Sequence, residues 1–301
     1  MSLDAPPRVS IGLPVRNGAL RLPFALESLL GQSYSDFELI ISDNASSDST
    51  EAICREAVLR DARVRYHRQT RDIGVLANFE YVLAHARGEL FMWAAHDDLW
   101  EQAFVETLVR LLDDDPGAVL AFSRFDNVTS EGVSVRKFDR VGSLGHGSDP
   151  ATRAIEVMAF PEELGKANLV YGLIRTDVLC RLGGLRAHAA AGWGLDYHLV
   201  FELAWCGRFA HVPELLFHKT LSKGDGRVTN HELRAYIAAY PRLAHSLGFP
   251  PIARVRVRIA ALRFQWRITK PSIVSSLARL RLGALARGRL LLRYAAFFQR
   301  S

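Results

Sequence analysis

The chain has no Asp or Glu after Glu232, no closely spaced cysteines and no uncharged apolar run of 18 residues. Its three cysteines, Cys54, Cys180 and Cys206, stand far apart and form no CxxC pair. That argues against a disulfide framework or a zinc site and for reduced, buried thiols in a cytoplasmic protein. The missing apolar run argues against a membrane-spanning helix. The opening MSLDAPPRVS places no apolar stretch behind a basic one, so no secretory signal is expected. Neither GxGxxG nor GxxxxGK[ST] occurs, which disfavours a dinucleotide-dependent dehydrogenase and a P-loop NTPase.

What is there is ordinary in bulk and uneven in detail. With 301 residues, 49% hydrophobic and 23% charged, the chain suits one large α/β domain, alone or with an appended element. The net charge of +6 conceals an asymmetry. Residues 233–301 hold 14 Lys and Arg and no acid, leaving 24 cations against 32 acids in the body, a net of −8. A uniformly basic domain would point to nucleic acid. A local basic tail points instead to an anionic surface or partner, and nucleic acid is not expected as the ligand.

Along the first 125 residues strand-like and helix-like stretches alternate. Apolar runs at Val9–Val15, Phe37–Ser42, Val64–Tyr66, Glu89–Ala95 and Ala118–Phe122 are read as strands. Helical spacing is read over Leu20–Leu30, Asp48–Arg60 (capped by Asp48 or Ser49), Val75–Ala86 and Glu101–Leu112. This alternation predicts an α/β fold with a Rossmann-like, mostly parallel, doubly wound sheet. Further on, Asn168–Arg175 reads as a strand and Asp196–Cys206 as a helix opened by Asp196. Three parts follow: an alternating one at 1–125, a less regular one at 126–232, and a basic, largely helical segment at 233–301. In that segment Pro241, Pro250, Pro251 and Pro271 are read as breaks. An apolar stripe there runs through Ile273, Leu277, Leu280, Ala284, Leu291, Ala295 and Phe298.

Ligands in doubly wound sheets bind beyond the carboxyl ends of strands, where strand order reverses. The second strand runs into Asp43 and the fourth into His96-Asp97-Asp98. Adjacent carboxylates repel unless they are solvated or share a cation, and Mg²⁺ or Mn²⁺ prefers such groups together with phosphates. Asp97-Asp98 therefore reads either as a metal site for a diphosphate or as a solvated acidic turn. Asp43 reads either as a ribose or base partner or as an Asx turn.

The ordered motifs are VSIGLPVRNG with Pro14 and Asn17, then LLGQSY, FELII and SDNASSDST. They continue through Arg71-Asp72-Ile73-Gly74, ARGE, AAHDDLW, Gly183-Gly184 and GWGLDYHLVFELAWCG. Taken in this order they resemble glycosyltransferase family 2, and the resemblance implies enzymes of the GT-A fold that use nucleotide sugars. It implies nucleotide binding by Pro14, Asn17, Asp43, Arg71, Gly74 and Asp97, with Asp98 as direct metal ligand. It also implies Asp196 as general base and Trp193 as acceptor-pocket wall. His218 and Lys219, after LLF, could reach the diphosphate or the metal, or His218 could be a structural histidine. Trp193 could equally be packing, and Asp196 equally a helix cap. Three departures stand out: Asn44-Ala45 and His96 where acids or glycine are usual, and Leu195 where an acid commonly precedes the base.

The chemistry so implied is inverting transfer of a sugar from a nucleoside diphosphate to an acceptor hydroxyl, assisted by Mn²⁺ or Mg²⁺. The acceptor would be a saccharide or lipid-linked glycan of bacterial surface polysaccharide synthesis. The tail, with Trp266, Tyr294, Phe297 and Phe298, would touch the inner face of the cell membrane, or pack on the acidic body or a second subunit as a homo-oligomer. Two rivals remain at this stage: a metal-dependent nucleotidyltransferase, and a non-enzymatic anion- or nucleic-acid-binding protein working through its tail.

Overall fold

The computed structural model describes residues 5–185, 193–221 and 229–279, with side chains as far as residue 266. The strands are β1 (Val9–Val15), β2 (Phe37–Asp43), β3 (Val64–Arg68), β4 (Leu90–Trp93) and β5 (Leu99–Trp100). After these come β6 (Ala118–Val128), β7 (Ser134–Lys137), β8 (Leu173–Arg175) and β9 (Arg208–Thr220). The helices begin with α1 (Leu22–Leu30), α2 (Thr50–Arg60), α3 (Val75–Ala84) and α4 (Phe104–Asp114). They continue with α5 (Pro150–Ala159), α6 (Thr176–Leu182), α7 (Leu195–Cys206), α8 (Asn230–Ser246) and α9 (Pro251–Arg279).

β1 and β2 are buried along their whole length, as continuous apolar runs must be when helices cover both faces of a sheet. β1 pairs in parallel with β2 on one side and β4 on the other, and β2 pairs in parallel with β3. Strand order thus reverses beside β1, and the crevice opens beyond the ends of β1, β2 and β4. Beyond β4 the sheet becomes mixed. The short β8 runs antiparallel between β4 and β6, whereas β6 and β9 pair in parallel. Helices seal the faces with apolar residues at helical spacing, as in α4, where Phe104, Val105, Leu108, Val109 and Leu112 are buried. Each such side chain stabilises the fold by roughly 1.5–3 kcal/mol.

Several sequence expectations change here. Asn168–Arg175 is not one strand: a 3-10 turn occupies Lys166–Tyr171, and only Leu173–Arg175 pairs. Gly172 makes the join, where an added Cβ would lie 2.4 Å from the Ala121 carbonyl. β6 runs past Phe122 to Val128 because β9 supplies a partner along its length. α7 is capped by Gly194 in the left-handed region, so Asp196 lies inside the first turn instead of at the cap. Pro241 and Pro271 sit within α8 and α9 without ending them. Around Pro241 the buried Tyr236, Tyr240 and Ala244 hold the helix on the core, which offsets the one hydrogen bond proline removes. Leu280 to Phe298 of the expected stripe, with Tyr294 and Phe297, lie outside the described residues, as do the side chains of Ile273 and Leu277.

Candidate active site

Two loops beyond β1 and β2, where the resemblance puts the nucleotide, fasten to each other. After β1, Asn17 takes φ 51°, its N–H donates to Ser46 Oγ at 2.9 Å, and its Oδ1 accepts from Ser47 N at 2.8 Å. Gly18 N donates to Thr50 Oγ1, and Ala19 N to Asp48 Oδ2. A Cβ at Gly18 would meet His96 at 2.7 Å, so glycine lets this loop approach the turn after β4. Pro14 is buried in β1, paired with Ser42 of β2.

Asp43 is fully buried at the end of β2. Its Oδ1 accepts from Ser46 N at 2.8 Å and its Oδ2 from the Tyr66 hydroxyl at 3.0 Å, with Arg68 Nε 3.6 Å away. Burial, then the Asp43 carboxylate, push the Tyr66 phenol above its ordinary value. Next to it Asn44 donates to Asp72 Oδ1 at 2.7 Å and accepts from Ile73 N at 2.8 Å. Asp72 also accepts from Gly74 N and pairs with Arg16 at 2.9 Å. The Asn44 departure therefore has a local partner: with an amide here, the carboxylate at position 72 is accepted and not repelled. Arg71 stands exposed beside Gly74, which takes φ 84° and begins α3.

The turn after β4 carries the acidic pair, and its two members differ. Asp97 is half-buried at the crevice, whereas Asp98 has no exposed surface. Asp98 Oδ1 accepts from Thr220 N at 2.8 Å, and Oδ2 accepts from Lys219 Nζ at 3.3 Å. Burial pushes its carboxyl up to about 6, against the pull of Lys219 and with the push of Asp97. Lys219 in turn lies 4.6 Å from the Tyr171 ring centroid. Burial would lower the Lys219 ammonium, but Tyr171, Asp98 and Asp97 outweigh it and hold it above the ordinary lysine value.

His218 is next in sequence, yet strand alternation turns it to the other face of β9. Its Nδ1 meets Asp126 Oδ1 at 2.8 Å and its Nε2 meets Glu101 Oε1 at 3.1 Å. Both ring nitrogens are thus engaged away from Asp98. The turn does not bring Asp98 and His218 together as two ligands of one ion.

Asp196 reaches the same centre from the far half of the chain. It is half-buried in the first turn of α7, and Oδ1 accepts from Tyr197 N at 2.9 Å. Desolvation raises its carboxyl, opposed by the Tyr197 and Asp196 N–H groups and by the ammonium groups of Lys219 and Lys166. Tyr171 feels Lys219, Asp98, Asp196 and Asp97 together, which puts these groups in one electrostatic neighbourhood. Trp193 stands at the entrance of α7, 5.1 Å edge-on from Tyr236 and 5.4 Å from Tyr197.

The sequence reading did not single out Tyr171, Lys166 or Tyr236. Lys166 is fully buried, donates to the Val157 and Met158 carbonyls, and lies under the rings of Tyr197 and Phe264. A lone lysine inside an apolar stretch was the available signal.

A hard divalent cation would suit the half-buried Asp97 together with substrate phosphates and water. Among the described residues no group of three His, Cys, Asp or Glu side chains could hold an ion unaided.

Comparison with known proteins fits this architecture. The chain is 30% identical over 132 residues to an uncharacterized glycosyltransferase of Rickettsia felis, covering 43% of this chain and 21% of that one. It thus spans about a fifth of that relative's length. Among solved structures, S. aureus TarS 1-349 in complex with UDP-GlcNAc superposes with TM-score 0.64 at 14% identity, covering 87% of this chain and 73% of that one. A Pyrobaculum calidifontis mannosyltransferase in complex with GDP-Man and Mn²⁺ superposes with TM-score 0.52 at 17% identity, covering 95% and 83%. These likenesses establish the GT-A fold. The sequence model of glycosyl transferase family 2 matches residues 10–160, half of the chain, and the protein belongs to that family.

Proposed function

We propose that this chain transfers a sugar from a nucleoside-diphosphate donor to an acceptor hydroxyl with inversion at the anomeric carbon. One observation carries the reading: Lys219 bonds to Asp98 of the acidic turn after β4 and its charge also acts on the Asp196 carboxyl of α7, although 98 residues separate Asp98 from Asp196. The donor nucleotide would lie over Pro14, Asn17 and the Asp43–Asn44 wall, with Arg71 and Gly74 beside it. The relatives crystallised with UDP-GlcNAc or with GDP-Man support a nucleotide sugar as donor.

A divalent cation bound with the donor would neutralise charge on the departing diphosphate. Asp97, half-buried at the crevice surface, would hold it, with His96 adjacent. Asp98 then works from behind: it fixes Lys219 and the Thr220 backbone, so a cation stays aimed at the place where negative charge develops. Asp196 takes the proton of the incoming hydroxyl, and a carboxyl raised above its ordinary value is the stronger base. Trp193 offers an aromatic face to a saccharide or lipid-linked glycan acceptor. A single base, set apart from the diphosphate, gives displacement in one step.

Kinetics of Asp196→Asn test the assignment. Transfer should fall by about 10²–10⁴-fold while nucleotide binding persists. A variant that turns over at the wild-type rate overturns it. Thermal shifts with UDP, GDP, dTDP and CDP, each with Mn²⁺ or Mg²⁺, identify the base and the metal through stabilisation by mass action. Product from a sugar 1-phosphate and a nucleoside triphosphate would instead establish nucleotidyl transfer.

A further inference from the structure

α9 has two apolar faces, and the core explains one of them. Ala253, Val257, Ala261 and Phe264 are buried at helical spacing against the body, where Phe264 approaches Tyr236 and Lys166. About half a turn away, Ile252, Val255, Ile259, Leu262 and Trp266 form a second stripe in steps of three and four. Ile252 is 79% exposed, Val255 53%, Ile259 45%, Leu262 65% and Trp266 38%. The stripe is about 21 Å long at 1.5 Å per residue. Arg256 and Arg263 lie along one edge of it, and Arg254 and Arg258 along the other.

We propose that this outer face of α9 lies flat on an anionic lipid surface, with the apolar stripe dipped among acyl chains and the arginines at headgroup phosphates. Charge decides among the occupants. A second copy docking through the same face, or residues 280–301 folding back over it, would set cations against cations, because no acid follows Glu232. The acidic body of another copy would answer the arginines but not the apolar stripe, and sedimentation of the protein decides that rival. Nucleic acid would use the arginines but leave five apolar side chains in water. A bilayer with negative headgroups satisfies both features at once. Among the described residues no helix is long and apolar enough to cross a membrane, so the contact is in-plane. The inner face of the same helix backs Tyr236 and, through it, Trp193, which turns the acceptor half of the protein toward the lipid.

Flotation of the full chain tests this without any sugar transfer, so its outcome is independent of the proposed reaction. Vesicles of phosphatidylglycerol with phosphatidylcholine should carry the protein up, vesicles of phosphatidylcholine alone should not, and added salt should weaken binding. Ile259→Ser/Leu262→Ser should lower lipid partition about tenfold or more, and Arg258→Gln/Arg263→Gln should remove the preference for phosphatidylglycerol. These side chains are exposed, so thermal unfolding and nucleotide binding should stay as in the wild type. Equal flotation of the wild type and the serine variant would assign the contact to other residues and overturn the proposal. So would a wild type that never floats, or one that sediments as a dimer dissolved by the serine variant.

Discussion

Lys219 Nζ donates to Asp98 Oδ2 across 3.3 Å, joining two residues 121 positions apart. Asp98 has no exposed surface and Lys219 is 27% exposed, so water does little to replace the ammonium if it is removed. Breaking a buried pair from one side costs about 3–5 kcal/mol, and Lys219→Met is expected near the lower end of that range. Asp98→Asn/Lys219→Met should recover much of the loss, because no isolated charge remains. Urea midpoints of the two variants at neutral pH check this. A single variant as stable as the wild type would show that the pair is not held in the folded protein.

How much of this was legible beforehand follows from what each feature depends on. β1, β2, α2 and α3 lie close to where apolar periodicity placed them, because their patterns are local and both sheet faces are covered. The crevice was legible in part: polar clusters at the ends of β2 and β4 marked it, but that β1 lies between them depends on pairing that no local pattern encodes. The turn at Lys166–Tyr171 was not legible. NLVYG is as apolar as a strand, and what anchors the turn, Lys166 donating to the Val157 and Met158 carbonyls, is a tertiary contact. The split between Asp97 and Asp98 was equally hidden. Two adjacent aspartates look alike in sequence, and β9, pairing Leu99 with His218, decides which of them is covered.

Acid sensitivity should centre on Glu38. It is buried at the start of β2, and burial alone would raise its carboxyl. Hydrogen bonds from Ser10, Arg65 and Arg87 outweigh that and hold it below the ordinary glutamate value. A folded value below the unfolded one means stability that is complete above the unfolded value, roughly pH 4.3. That stability is lost as pH falls through the folded value. Glu38→Gln should cost about 1.5–3 kcal/mol at neutral pH and flatten the acid limb of a stability–pH curve. Chemical denaturation across that range is the measurement.

Thiol reactivity should separate the three cysteines. Cys54 is fully buried on α2, and burial, then Asp43, Asp48 and Glu51, push its thiol up to about 12. Cys180 and Cys206 are exposed. Because the thiolate is the reacting form, a disulfide reagent should count two thiols in the native protein and three in denaturant. Burial also raises Cys206, which should make it the slower of the two.

Ala45 takes φ 53° in the turn after β2, where glycine would fit without strain. The left-handed conformation costs an L-residue about 1–2 kcal/mol. Glycine returns about 0.5–1 kcal/mol through greater freedom of the unfolded chain. Ala45→Gly should therefore stabilise the protein by about 0.5–1 kcal/mol, seen as a rise in Tm of a few degrees. A lower Tm would mean that the Ala45 methyl makes contacts worth more than its backbone strain.

Tyr236 gives a way to disturb the Trp193 side of the crevice, the proposed acceptor wall, while leaving the loops after β1 and β2 alone. Its ring is buried on α8, edge-on to Trp193 at 5.1 Å, and a Cβ at Gly194 would meet it at 2.7 Å. The ring therefore presses on the turn that starts α7, and Asp196 follows two residues later. Its hydroxyl shares a hydrogen bond with Tyr240 at 2.6 Å. Tyr236→Phe keeps the ring and loses that bond, for about 1 kcal/mol. Tyr236→Ala empties the space beneath Gly194 and should cost about 3–5 kcal/mol, as large aromatic truncations do. Nucleotide affinity, measured by calorimetry, should change little in either variant, because Pro14, Asn17 and Asp43 belong to the other half of the sheet. If Tyr236→Ala weakened nucleotide binding as much as it lowered stability, the two halves would be mechanically coupled, and the acceptor wall would not be the separate unit that the packing around Trp193 describes.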